Sequence, residues 1–236
     1  MTDRLRIQQC RWHAVNDAQA LSAAVGERIL AAANRAVEKR SRFVIVLAGG
    51  NTPRGVYELL RFGSADWPSW HVYFGDERCA PRDDPTRNSL MVETAWLGHV
   101  PIPSRQVHAM PAELGPSEAA TRYAATLEPV REFDLVLLGL GEDGHTGSLF
   151  PNHDLGDSAG SPSVLEVLDA PKPPPHRVTM SARRFSLTRA AIFMVAGEEK
   201  RAAVQLWRAG ESIPATAITP KAGVDVFVVR ALLQGG

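Results

Sequence analysis

The sequence predicts an α/β fold: a doubly wound, mostly parallel sheet flanked by helices on both faces, in a Rossmann-like three-layer arrangement. Three observations point there. Short, continuous apolar runs rich in β-branched residues recur along the chain, the pattern of strands buried on both faces of a parallel sheet. Most of these runs end in glycine. Amphipathic segments with helical spacing lie between them, and alternating strands and helices build a sheet of this kind.

Taken in order, Leu21, Val25, Ile29, Ala33 and Val37 recur every fourth residue, which predicts an amphipathic helix from Asn16 to about Lys39 with Asn16 as its N-cap. Phe43–Ala48 (FVIVLA) predicts a buried strand ending in Gly49-Gly50. Thr52 before Pro53 reads as an N-cap with proline at the first helical position, and Val56, Leu59 and Leu60 supply the apolar stripe. Trp70–Phe74 (WHVYF) is a second strand, ending at Gly75. Glu118–Val130 reads as a helix capped by Ser117, and Phe133–Leu138 (FDLVLL) as a strand ending at Gly139. Residues 151–175 have little periodicity and are expected to form an ordered loop or lid, because a strand pattern (RVTM) resumes directly afterwards. Ala191–Ala196 runs into Gly197 and a helical segment, Glu198–Trp207, and Val224–Val229 is the last strand. No repeat of fixed period is visible, and the 236 residues are expected to form a single domain spanning 1–236.

Composition narrows the function. The 26 basic and 26 acidic residues cancel, which argues against a general nucleic-acid or anionic-membrane binder. Any anion must therefore be held by a local arrangement. The two cysteines, Cys10 and Cys79, are too few for a disulfide framework, and no Cys or His spacing suits a metal. The stretch MTDRLRIQQC is polar and basic, and no run approaches 18 apolar residues, so a cytoplasmic protein is expected.

In open α/β sheets ligands bind beyond the carboxyl ends of the strands. Three predicted strand ends carry unusual residues. Gly49-Gly50-Asn51-Thr52 would place exposed backbone N–H groups and a hydroxyl at a helix N-terminus, a way to hold phosphate without net positive charge, although a glycine pair before a helix is also an ordinary tight turn. Asp76-Glu77-Arg78 could form a carboxylate and guanidinium site, or a turn with surface ion pairs. Gly139–Thr146 (GLGEDGHT) projects His145 from a glycine-constrained loop with Asp143 two residues away, near enough to orient the ring and raise its pKa. The other six histidines have no such setting. Arg78 and Arg177 offer planar forks suited to phosphate, and Lys200 a point charge at the start of a helix.

LAGGNTP, then YFGDERCAP followed by RNS, then FDLVLLGLGEDGHTGSLFP, then PKPPPHRVTMS and AGEEKRAAV resemble, in order and spacing, the 6-phosphogluconolactonases of the sugar-phosphate isomerase-like superfamily. The resemblance spans about Phe43 to Leu206. Asn51 stands where the family usually has serine, and Gly147 where it often has alanine. The resemblance implies hydrolysis of 6-phosphoglucono-1,5-lactone to 6-phosphogluconate without metal or organic cofactor, and so a small sugar-phosphate lactone as partner; a monomer or small homo-oligomer is expected. The resemblance also implies His145 as general base, Asp143 and Asp76 as its support, and Gly49, Gly50, Asn51, Thr52, Arg78, Arg177 and Lys200 as candidate phosphate ligands. Lys172 could also close over the ligand. Two rivals share the fold, a glucosamine-6-phosphate deaminase or isomerase and a non-catalytic sugar-phosphate sensor. The first would want a carboxylate soon after His145, where Ser148-Leu149-Phe150-Pro151 stands; the second would want a DNA-reading module, for which no residues are left over.

Overall fold

Seven parallel strands form the central sheet of the protein, whose computed structural model describes residues 8–234. Residues 1–7, most of the polar and basic stretch MTDRLRIQQC noted above, and residues 235–236 lie outside the described residues. The chain runs β1 (Cys10–Val15), α1 (Ala18–Arg40), β2 (Phe43–Leu47), α2 (Asn51–Leu60), β3 (Trp70–Phe74), β4 (Asp76–Arg78), α3 (Asn88–Ala95), β5 (Val107–His108) and α4 (Pro116–Leu127). It continues through β6 (Leu135–Gly139), β7 (Val164–Val167), β8 (Arg177–Met180), α5 (Ala182–Ser186), β9 (Ala191–Val195), α6 (Arg201–Arg208) and β10 (Val224–Val229).

The strand order of the large sheet is β1-β10-β9-β6-β2-β3-β5, and β4-β8-β7 form a small antiparallel sheet. Every residue of β2 and β9 is buried, as their unbroken apolar runs require. From β2 the chain winds outward through β3 to β5, then returns to place β6 on the other side of β2 and winds the opposite way through β9 and β10. The switch point thus lies between β2 and β6, where diverging connections leave a crevice at the carboxyl ends. One apolar core joins the sheet to its helices and includes Phe43, Trp70, Trp96 and Tyr123. Among the described residues no helix is long and apolar enough to cross a membrane.

Several local expectations need correction. The N-cap of α1 is Asp17, whose carboxylate accepts from the Ala20 amide at 2.8 Å; Asn16 lies one residue too early. Thr52 is not a cap either, since α2 begins at Asn51 behind Gly50, whose φ of 103° only glycine takes readily. Pro53 still falls in the first turn, where N–H groups have no intrahelical acceptor to lose. Likewise Pro116 takes the first position of α4, leaving Ser117 inside it, and the helix stops at Leu127, short of Pro129. Glu198–Lys200 is a tight 3₁₀ turn ahead of α6. RVTM does not extend the main sheet but pairs with Asp76–Arg78, and the stretch 151–175 contains a strand, β7, besides its loops. The edge strand β1 was not expected at all; its sequence, CRWHAV, mixes half-buried and exposed positions.

Candidate active site

A small cleft opens at the switch point, beyond the carboxyl ends of the strands, where open α/β sheets bind their ligands. Gly49, Gly50, Asp76, Arg78, His145, Arg177 and Lys200 all line it. Asn51 and Thr52 are not among its lining residues, being carried into the first turn of α2, and Asp143 stands behind His145.

The loop after β6 folds back on itself through bonds from the Gly141 amide to the His145 carbonyl (2.7 Å) and from the Gly144 amide to the Gly141 carbonyl (3.1 Å). Glycine is required at 141 because a Cβ there would lie 2.0 Å from His145 Nδ1. Asp143 Oδ1 accepts from His145 Nδ1 at 2.5 Å and from the His145 amide at 3.2 Å. A carboxylate at Nδ1 holds the proton there, so the neutral ring presents an unprotonated Nε2. That nitrogen has no hydrogen-bond partner among the described residues, and the ring rests against Phe150 with centroids 4.8 Å apart. Burial pushes the imidazole pKa below its ordinary value, outweighing the upward pull of Asp143 and Asp76. The sequence led us to expect the reverse sign, because charge proximity was visible there and desolvation was not. For Asp143 the balance goes the other way: burial raises its pKa, but His145 holds it below the usual carboxylate range.

Side chains alternate along β4. Asp76 and Arg78 face the cleft, while Glu77 turns inward and is fully buried. Asp76 accepts from Ser148 Oγ at 2.7 Å and from Asn88 Nδ2 at 3.1 Å, and Asn88 Nδ2 also donates to the Asp76 carbonyl. Gly49 makes room for this amide, since a Cβ at 49 would sit 1.8 Å from Asn88 Oδ1. Glu77 receives the amides of Arg78, Asn88 and Ser89 at 2.7–2.9 Å and pairs with buried Arg87 at 3.1 Å, fixing the start of α3. Asn88 and Ser148 therefore belong to the site although sequence reasoning did not select them. They stand in the quoted RNS and SLFP motifs, but no local spacing shows that both converge on Asp76.

Arg78 and Arg177 are directly opposite each other in the β4–β8 register. Like charges so placed are unfavourable. Among the described residues neither guanidinium has a carboxylate within ion-pair distance: Arg78 Nη1 donates to the Thr86 carbonyl at 2.5 Å while its buried Nε has no partner, and Arg177 donates to the carbonyls of Pro174 (3.1 Å), Lys172 (2.9 Å) and Pro173 (3.4 Å). Burial lowers the Arg177 pKa, with Asp76 opposing. Among the described residues Lys200 reaches only Glu199, at 3.7 Å, and Lys172 is engaged with Glu142 rather than turned over the cleft. Among the described residues no cluster of three or more His, Cys, Asp or Glu side chains is placed to hold a metal ion. The arrangement thus gathers around one cleft a neutral imidazole with an open nitrogen and two arginines, Arg78 and Arg177, that have no ion-pair partner among the described residues.

A family model described as "Glucosamine-6-phosphate isomerases/6-phosphogluconolactonase" matches residues 16–227. A 6-phosphogluconolactonase of Mycobacterium leprae is 38% identical over 217 residues, covering 85% of this chain and 87% of that protein. One from Nostoc is 36% identical over 202 residues, covering 80% of each. The crystal structure of a 6-phosphogluconolactonase from Thermotoga maritima superposes with a TM-score of 0.86 at 27% identity, covering 94% of this chain and all of that one.

Proposed function

We propose that this chain, which belongs to the family of glucosamine-6-phosphate isomerases and 6-phosphogluconolactonases, is an ester hydrolase that opens 6-phospho-D-glucono-1,5-lactone to 6-phospho-D-gluconate. His145 Nε2 takes a proton from water as its oxygen attacks C1. The tetrahedral intermediate collapses with cleavage of the bond from C1 to the ring oxygen, and the imidazolium returns the proton to that oxygen as it leaves. The depressed pKa keeps the ring neutral and ready as a base, while the carboxylates of Asp143 and Asp76 favour the imidazolium once it forms. Such acid–base work contributes roughly 10²–10⁴-fold. The remainder comes from holding C1 in place through the remote phosphate, gripped by Arg78, Arg177 and Lys200 with the N-terminus of α2 at Gly49–Thr52.

The observation that carries this reading is the opposed pair Arg78 and Arg177, two guanidiniums across one ladder position in the cleft of His145, which a phosphate would neutralise together. A lactonase is favoured over the amino-sugar isomerases because Asp154, the first carboxylate after His145, lines a different groove. A cytoplasmic setting agrees with the unpaired Cys10 and Cys79. The test is a coupled assay: glucose-6-phosphate dehydrogenase generates the lactone, and its disappearance is followed with and without this protein. Decay no faster than spontaneous hydrolysis in buffer would end the proposal.

A further inference from the structure

We infer that Lys172 and Glu142 form a latch that positions Arg177, and so act as positioning residues for the phosphorylated ligand; this rests on the function proposed above. Lys172 Nζ meets Glu142 Oε1 at 2.7 Å, tying the segment 170–175 to the loop that carries Asp143 and His145. Both side chains are substantially exposed, so the pair adds little stability, of the order of 0.2–1 kcal/mol at most. Its position matters more. Within Pro171–Pro175 only Lys172 has a backbone N–H, because its four neighbours are prolines. The strap therefore has almost no backbone donors with which to fasten itself; a backbone bond from the Ala170 amide to the Pro175 carbonyl closes its base. Yet the carbonyls of Lys172, Pro173 and Pro174 are what hold the Arg177 guanidinium. The Lys172 side chain secures the strap from outside. Lys172 is the foremost influence holding the Glu142 carboxyl below its usual range, with Lys200 contributing from farther off.

A latch and a simple charge effect predict opposite signs at one position. If Glu142 acted only through its charge beside a cleft for an anion, removing that charge would tighten binding. If it fastens the strap, removing it loosens Arg177 and weakens binding. The experiment measures the Kd of 6-phosphogluconate by calorimetry, and kcat and KM for the phosphorylated lactone, in the parent, E142Q, K172M and K172R. We expect E142Q and K172M to raise both Kd and KM by about threefold to fivefold, the ceiling for an exposed pair, with kcat within twofold of the parent. K172R should keep both values within twofold. At a pH well above the His145 midpoint, where the charge of Lys172 no longer affects the neutral fraction of the ring, the rate with glucono-1,5-lactone, which has no phosphate to grip, should not change. An E142Q protein that binds 6-phosphogluconate as tightly as the parent or more tightly overturns the latch. Failure of the parent itself to hydrolyse the phosphorylated lactone would instead overturn the functional reading, so the two failures are distinguishable.

Discussion

Replacing Arg78 by methionine should leave the ligand-free fold almost as stable as before while disabling the grip on phosphate. In the free protein three effects nearly cancel. Removing the charge opposite Arg177 relieves ~0.2–1 kcal/mol. Removing the buried, unpartnered Nε relieves ~1–3 kcal/mol. Against these stands the charged hydrogen bond to the Thr86 carbonyl, ~1.5–3 kcal/mol. Their mid-range values nearly cancel, and the net change should fall within about 2.5 kcal/mol of the parent. With ligand bound, a charged hydrogen bond of that strength from Arg78 to the phosphate is also missing in the variant, which corresponds to a fall of roughly 10- to 150-fold in kcat/KM. Thermal unfolding gives an independent readout: 6-phosphogluconate at ten times its Kd should stabilise the parent by ~1.4 kcal/mol, a rise of ~3–6 °C for a chain of this size. The variant at the same concentration should gain only ~1 °C, since a tenfold weaker Kd leaves ~0.4 kcal/mol. Activity within threefold of the parent, or an equal thermal shift, would refute the reasoning.

Because His145 must be neutral to act and burial depresses its pKa, kcat/KM should fall on the acid side with a midpoint below pH 6.5. Asp143→Asn removes a group that favours the imidazolium, so that midpoint should move lower still while the plateau drops by ~10²–10⁴; a midpoint that moves up contradicts the assignment. Glu77→Ala leaves Arg87, only 2% exposed, without its buried partner and strips three amides of their acceptor. Denaturant unfolding should show a loss of ~3–5 kcal/mol, and a loss below 1 kcal/mol would show the pair to be dispensable.

The parallel sheet was legible because FVIVLA, AIFMVA and VDVFVV are buried on both faces and carry that environment in their composition. The edge strand Cys10–Val15 was not, since half-exposed positions leave a mixed pattern. Asp76–Arg78 concealed its strand character for a related reason: three charged residues in a row read as a loop, and only pairing with a segment about a hundred positions away makes them a ladder. The dyad of Asp143 and His145 was legible as a local spacing. The convergence of Asn88 and Ser148 on Asp76 and the confrontation of Arg78 with Arg177 are products of topology, and no window along the chain contains them. Desolvation of His145 is a tertiary property too, which is why the sign of its pKa shift had to await the fold.

The most direct test of the account is the coupled lactone assay on His145→Ala beside the parent, with buffer alone as control. The parent should clear 6-phosphoglucono-1,5-lactone well above the spontaneous rate. The variant should unfold at a similar temperature and bind 6-phosphogluconate within threefold of the parent, yet lose roughly 10²–10⁴-fold in kcat. A variant that folds, binds and still turns over within threefold of the parent would contradict the assignment of His145 as the group that moves the proton.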